Sequence, residues 1–219
     1  MEKYFEVLSQ CPLFFGIQRE ELGKMLPCLG CKIDFYDKKF TVFAEGHPAR
    51  HLGILLSGKA QTVRFDYNGN RSILSEILPG DVFGEAFACS QTPSLPISIV
   101  AEEPSTVMLI ECERILKTCT NQCRFHQSLI FNLMKDLAEK TVRFYQKSEI
   151  ISQRTTREKL LTYLSIQSAK AKSRRFSIPF DRQELADYLE VDRSGLSAEI
   201  SKLKREGIFL CRKNEFELL

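Results

Sequence analysis

The spacing of apolar and polar positions changes character twice along the chain. Leu13, Phe14, Phe15, Leu22, Met25 and Leu26 fall around Glu20 and Glu21 at helical spacing, which predicts one or two short helices ending near Gly30. From there the period is two. Ile54-Leu55-Leu56, Gln61 to Phe65, Ser72-Ile73-Leu74 and Thr106 to Ile110 are short β-branched or aromatic runs divided by Gly, Pro, Asn or Asp, the pattern of a β-sandwich or barrel. Asp66-Tyr67-Asn68-Gly69-Asn70 lies between two such runs. Asn-Gly accepts the positive φ angles of a type I′ turn, so a hairpin is expected there, and Pro79-Gly80-Asp81 marks another turn.

The second change comes near Thr120. No Pro or Gly occurs from there to Ser152, and a 4-3 pattern runs through Ile130, Met134, Leu137, Thr141, Phe144, Ser148 and Ile151. This predicts a helix of about 45 to 50 Å whose narrow apolar seam needs a partner. A second copy of the chain is the simplest one, and the β region is the alternative. Thr155-Thr156-Arg157-Glu158 then offers a capping box that restarts a helix through Leu160, Leu161 and Leu164. A basic loop, Ala169 to Arg175, leads to a short strand from Phe176 to Pro179. Asp181-Arg182-Gln183-Glu184 is a second capping box opening a helix to Leu189, and Asp192 caps a third that Gly207 stops. The spacing is that of a helix-turn-helix. Phe209 to Arg212 and Glu215 to Leu218 alternate around Lys213-Asn214 like a hairpin, hence a wing. The fold class is therefore α+β.

Composition narrows the class. The 219 residues are 43% apolar and 27% charged, as in ordinary globular chains. No apolar run is long enough to span a bilayer, and Met1 to Gln10 carry Glu2 and Glu6 and no signal-peptide core, so a cytoplasmic protein without a membrane partner is expected. Eight cysteines are too few for a secreted disulfide scaffold, so reduced thiols are expected. The net charge of +3 divides unevenly. Residues 154–219 hold 14 Lys or Arg against 10 Asp or Glu, net +4, while residues 1–153 hold 17 against 18, net −1. The basic excess lies in the C-terminal third, which suits binding to a polyanion there.

Two blocks of residues carry a resemblance. Leu56-Ser57-Gly58-Lys59 with Pro79-Gly80-Asp81-Val82-Phe83-Gly84-Glu85 looks like an effector-domain signature. Arg182-Gln183-Glu184-Leu185-Ala186-Asp187-Tyr188-Leu189 through Arg193, with Ser201 to Ile208, looks like a DNA-reading half. In this order, joined by a long helix, they resemble the cyclic-AMP receptor / fumarate-and-nitrate regulator (Crp/Fnr) family of bacterial transcription factors. The resemblance implies a cyclic-nucleotide-binding-like β-roll (jelly-roll) that senses an effector over residues 1–119, a dimerisation helix over 120–153 and a winged helix-turn-helix over 154–219. The expected protein is a homodimeric regulator of double-stranded DNA, with RNA polymerase as the partner implied by resemblance. It is not an enzyme.

The DNA half can be argued physically. A helix starting at Asp192 presents Arg193, Ser194 and Ser197 where a recognition helix meets base edges in the major groove. Arg193 is the candidate for bidentate contact to guanine. Leu196, Ile200 and Leu203 fall on the opposite stripe. Arg182, Gln183, Lys202 and Arg212 are candidates for phosphate contacts, and Lys204 and Lys213 read as solvated charges. The best-known relatives carry Glu directly after this Arg position and Arg four residues further on. Ser194 and Ala198 stand there in this chain, so a different operator is expected.

In cyclic-nucleotide-binding relatives a Gly-Glu pair meets the ribose, and an Arg-Ser pair ten residues beyond the Glu neutralises the phosphate. Gly84 and Glu85 match the first pair, but Leu95 and Pro96 stand at the second, and residues 72–113 contain no Lys or Arg. Tight binding of cyclic AMP is therefore not expected. Ala86, Phe87, Leu95, Pro96 and Ile97 suggest a pocket for an unknown, neutral or apolar small effector. The alternative is a degenerate pocket in which Glu85 only caps neighbouring amides.

Cys28-Leu29-Gly30-Cys31 and the pair Cys119 and Cys123 raise a redox- or metal-responsive alternative. The spacing of Cys11, Cys28 and Cys31 differs from that of the oxygen-sensing relatives, and Leu109 stands at their distal cysteine position. Buried thiols are expected, with no metal and no certain cofactor. His126 reads as no ligand. His47 and His51 could belong to a cupin-like metalloenzyme, a reading that leaves the helix-turn-helix unexplained.

Overall fold

The computed structural model describes residues 2–117 and 124–219. Contacts divide the chain into two units, residues 1–69 with 74–141 and residues 70–73 with 142–219.

The first unit opens with α1 (Phe5–Gln10) and α2 (Arg19–Cys28), the latter started by a capping box between Gln18 and Glu21. The strands are β1 (Lys32–Tyr36), β2 (Thr41–Phe43), β3 (His51–Ser57), β4 (Ala60–Phe65), β5 (Arg71–Ile77), β6 (Val82–Phe83), β7 (Ser98–Ala101) and β8 (Ser105–Glu111). They form two four-stranded sheets, ordered β1-β8-β3-β6 and β2-β7-β4-β5. Between β6 and β7 runs α3 (Glu85–Cys89), and after β8 come α4 (Cys112–Leu116) and α5 (Arg124–Ile151).

The strand period explains the packing. Leu52, Ile54 and Leu56 of β3, with Met108 and Ile110 of β8, join a core that contains Leu8, Leu13, Phe14, Leu22 and Leu26 and, from α5, Leu129 and Leu133. Leu55 and Val107, on the opposite face of the same strands, join Ala60, Ile97, Ile99 and Phe83 in a second core. Both faces of β3 are thus covered, and Leu52 through Leu56 form a continuous buried run. The turn after β4 departs from the type I′ expectation. Gly69 takes φ +80° but Asn68 does not; Gly69 N–H donates to Asp66 O at 3.0 Å and Asn68 N–H to the Asp66 carboxylate at 2.8 Å. The Asp66 side chain mimics a turn of its own, which removes the need for a left-handed Asn68.

Helix α5 has 28 residues, about 42 Å. Residues 118–123, which include Cys119 and Cys123, lie outside the described residues. The helix carries two apolar stripes where one seam is expected. Leu129 and Leu133 are buried in the β-domain core and Leu137 packs against it. Asn132, also buried, donates from Nδ2 to Leu13 O at 3.1 Å and Phe15 O at 2.8 Å. Phe131, Met134, Val142, Phe144 and Tyr145 are exposed, each by more than half. The predicted seam therefore mixes both faces: Leu137 belongs to the core and Ile130 is half-buried, while Met134, Thr141, Phe144 and Ser148 are exposed and Ile151 is half-buried. Two 4-3 patterns offset by a few residues merge into one in a sequence, and only burial separates them.

In the second unit α6 (Thr156–Ala171) begins at the Thr155/Glu158 capping box, and α7 (Arg182–Leu189) at the Asp181/Glu184 box. Helix α8 (Arg193–Arg205) is capped by Asp192. Strands β9 (Arg175–Ser177), β10 (Phe209–Arg212) and β11 (Glu215–Leu218) form a sheet ordered β10-β11-β9, so the wing has three strands, its hairpin being β10 and β11. Leu160, Tyr163, Leu164, Leu185, Leu189, Leu196, Ile200, Leu203, Phe209 and Phe216 supply its core.

Candidate nucleic-acid interface and effector site

Helix α8 is positioned from one side. Leu196, Ile200 and Leu203 are buried, and Arg157 of α6 pairs with Glu206 at 2.6 Å and Glu199 at 3.5 Å along its flank. Those bonds hold the Glu206 carboxyl below its usual range and raise Arg157 above its own. Lys159 donates to Leu189 O and Glu190 O, both at 3.2 Å, closing the C-terminus of α7. Arg157 and Lys159 are thus spent on orientation.

At the start of α8 the Asp192 carboxylate accepts Gly195 N–H at 2.8 Å and the Ser194 hydroxyl, and both bonds lower its pKa, the hydroxyl's most. Arg193 and Ser194 are exposed on this first turn and Ser197 is half-buried. Lys202 and Arg212 are exposed, and neither they nor Arg193 pair with an acidic side chain among the described residues. Arg182 reaches back to Lys213 O at 3.4 Å, joining α7 to the wing turn, and Gln183 spends its amide on Asp187 at 2.8 Å. Lys204 also has a partner, Cys211 O at 3.3 Å. At 100° per residue the face opposite the buried stripe carries Ser194, Ala198, Ser201 and Arg205. Ser201 and Arg205 lie in the block that resembles a DNA-reading half but are not among the contact candidates, though the period that locates Leu196, Ile200 and Leu203 also locates them.

The effector region of the first unit is built around α3. Gly84 caps this helix with φ +76°, and an added Cβ would lie 2.7 Å from the Phe43 ring, so both backbone and space require glycine. Glu85 is 4% exposed and does not cap its neighbours' amides. Its Oε1 lies 2.8 Å from Lys140 Nζ of α5, which also lies 2.7 Å from Asp136 Oδ2 and 2.7 Å from Val82 O. Asp136 is likewise buried, and Glu85 Oε2 has no hydrogen bond among the described residues. A cation does reach Glu85, from far outside the 72–113 window that lacks one, but two carboxylates already share it.

The other expected pocket residues scatter. Leu95 is buried and exchanges hydrogen bonds with the turn before β3, receiving Gly46 N–H at 2.8 Å and donating to His47 O at 2.9 Å. Phe87 packs on the core of Leu55, Phe83 and Ile97, whereas Ala86 and Pro96 are exposed.

Among the described residues no group of three or more His, Cys, Asp or Glu side chains is placed to hold a metal. His47 and His51 are exposed, and buried His126 meets Arg114 O at 3.1 Å through Nε2. Burial pushes the Cys11 and Cys31 thiols up to about 12, and exposed Cys28 bonds to Lys24 O. No helix among the described residues is long and apolar enough to cross a membrane.

Comparison with known proteins finds a match for each region. Residues 34–122 match the cyclic nucleotide-binding domain and residues 158–219 the Crp-like helix-turn-helix domain. The CRP-like cAMP-activated global transcriptional regulator of Mycobacterium tuberculosis is 34% identical over 80 residues, 36% of this chain and 35% of its own, so the match spans about a third of that relative. The transcriptional activator protein anr of Pseudomonas aeruginosa is 22% identical over 183 residues, 81% of this chain and 72% of that one. Among solved structures, the c-di-GMP responsive global regulator CLP of Xanthomonas campestris has a TM-score of 0.71 at 17% identity, covering 90% of this chain and 98% of that chain. FixK2 of Bradyrhizobium japonicum has a TM-score of 0.64 at 20% identity, covering 86% and 92%. With a cyclic nucleotide-binding domain followed by a Crp-like helix-turn-helix domain on one chain, the protein belongs to the Crp/Fnr family, which consists of transcription regulators and not enzymes.

Proposed function

We propose that the chain is a homodimeric, sequence-specific regulator that places α8 of each copy in successive major grooves of double-stranded DNA, about 34 Å apart. The observation that carries this reading is the first turn of α8, where Arg193 and Ser194 are exposed on a helix that buries Leu196, Ile200 and Leu203. Arg193 reads a guanine; Ser194 and Ser197 adjust the fit; Arg182, Gln183, Lys202 and Arg212 meet phosphates. The exposed side of α5, with Phe131, Met134, Val142 and Tyr145, pairs with the same face of a second copy. The working boundaries are a sensing domain over 1–119, the dimer helix over 120–153 and the DNA-binding domain over 154–219. RNA polymerase is the partner at the promoter and the cytoplasm the place of action.

Cyclic AMP is not the effector in this reading. At formal charges Glu85, Asp136 and Lys140 sum to −1, so a cyclic phosphate brought beside Glu85 meets a carboxylate excess and no spare cation. The effector is another small molecule, taken near α3, where Gly84, Glu85, Phe87 and Leu95 lie.

The test is fluorescence anisotropy of the full chain on a duplex selected from a random pool, across a salt series. Affinity is expected to fall linearly on logarithmic axes. Arg193→Ala should cost about 5- to 150-fold and relax discrimination at one guanine. Lys202→Ala should weaken all duplexes alike and reduce the salt slope by about 1. Salt-insensitive binding, or an Arg193→Ala protein that discriminates like the parent, overturns the reading.

A further inference from the structure

Cys89 closes α3 and Cys112 opens α4. Their Sγ atoms lie 3.2 Å apart, although 23 residues separate them in the chain. At that distance the two sulfurs are in contact and one S–H points at the other sulfur. Cys112 is buried and Cys89 half-buried, so Cys89 is the more accessible of the two.

We propose that Cys89 and Cys112 are a redox-active dithiol that a hydroperoxide converts to a disulfide, stapling α3 to α4. The Cys89 thiolate attacks one peroxide oxygen; the O–O bond breaks, and the departing oxygen takes the proton Cys89 has given up. With hydrogen peroxide the products are water and a Cys89 sulfenic acid. Cys112 then attacks the Cys89 sulfur, the S–O bond breaks, and the leaving hydroxide takes the Cys112 proton as a second water. The two thiols lose two electrons and two protons, and the peroxide gains both.

The local chemistry assigns the roles. The Cys112 S–H bond favours the Cys89 thiolate and holds its pKa below that of an ordinary thiol, while the same bond, with burial, pushes Cys112 up. Cys89 is the attacking sulfur and Cys112 the resolving one. Cys11 and Cys31, pushed up to about 12 by burial, are unreactive by comparison. Closing the bond requires the sulfurs to approach by about 1 Å, within reach of side-chain rotation. The staple would act where it matters for sensing, since the same short helix carries Glu85 at its other end. The inference rests on the thiol geometry and not on the DNA-binding reading.

The experiment uses the full, pre-reduced chain and one equivalent of hydrogen peroxide, followed by alkylation, digestion without reductant and mass spectrometry. Eight cysteines make mapping essential. The expected product is a peptide pair joining Cys89 to Cys112, with the intact mass lowered by two hydrogens and restored by dithiothreitol. Cys112→Ser should stop at a dimedone-trappable sulfenic acid on Cys89, and Cys89→Ser should give neither product. A cross-link among other cysteines with Cys89 and Cys112 still alkylated, or Cys89 oxidised no faster than Cys28, overturns the proposal.

Discussion

Replacing Lys147 by Met should stabilise the protein, and the gain should vanish in alkaline solution. Lys147 lies on α5, 5% exposed, with its Nζ 3.5 Å from the centroid of the Tyr188 ring and no hydrogen-bond acceptor among the described residues. Burial lowers its pKa from the ordinary 10.5 to about 8, Glu190 opposing the shift and Lys159 adding to it. Folding therefore weakens the hold on this proton. Below pH 8 both folded and unfolded chains are protonated and the full cost is present; between about 8 and 10.5 the unfolded chain binds more proton, so stability rises with pH. The difference corresponds to about 3 kcal/mol. Met also forfeits the attraction of the ammonium for the ring, roughly 0.5 to 2 kcal/mol, which leaves a net gain of about 1 to 2.5 kcal/mol at pH 7. Tyr188, whose ring faces the ammonium, is itself pushed up by burial. The chain has no Trp, so urea unfolding is followed by far-ultraviolet circular dichroism at several pH values. The variant-minus-parent difference isolates Lys147, because other titrating groups are common to both. A variant less stable at pH 7, or a difference unchanged from pH 8 to 10.5, refutes the reasoning.

Three further outcomes are expected. Lys140→Met should destabilise by on the order of 3 kcal/mol because it leaves Glu85 and Asp136 without their cation, and adding Glu85→Gln and Asp136→Asn should restore much of the loss in the same unfolding assay. Glutamate at both Phe131 and Tyr145 should turn a dimer into a monomer in sedimentation equilibrium with the helical signal kept, whereas glutamate at Leu133 should unfold the protein. Gly84→Ala should lower stability by at least about 1 to 2 kcal/mol, since φ +76° is unfavourable for alanine and its Cβ meets the Phe43 ring; a calorimetric melting point equal to the parent's would contradict that.

Local signals predicted local structure well. The Thr155/Glu158 and Asp181/Glu184 boxes stand where their spacing placed them, because each needs only four consecutive residues. The buried stripe of α8 followed from period alone. What the sequence did not disclose depends on residues far apart in the chain. Lys140 lies 55 residues from Glu85, and no window around Glu85 contains it. Cys89 meets Cys112, while the nearer pair at 28 and 31 drew attention through its spacing. The α5 stripes share one periodicity, and choosing between them requires knowing which side the β sheets cover. At Asp66 the dipeptide signal was overruled by one carboxylate.

The bond from Asn132 to Leu13 and Phe15 bears on how the chain is made. It closes a span of 119 residues, and Leu13 and Phe14 share their core with Leu129 and Leu133. At roughly 5 to 20 residues per second, a ribosome needs about 6 to 24 s to add that span. Through that interval the N-terminal helices lack the surface they will bury against α5, and their apolar side chains are open to other partners. Completion of the first unit is therefore tied to the emergence of α5, and a nascent chain arrested short of residue 133 should bind holdase chaperones that one arrested well beyond it does not.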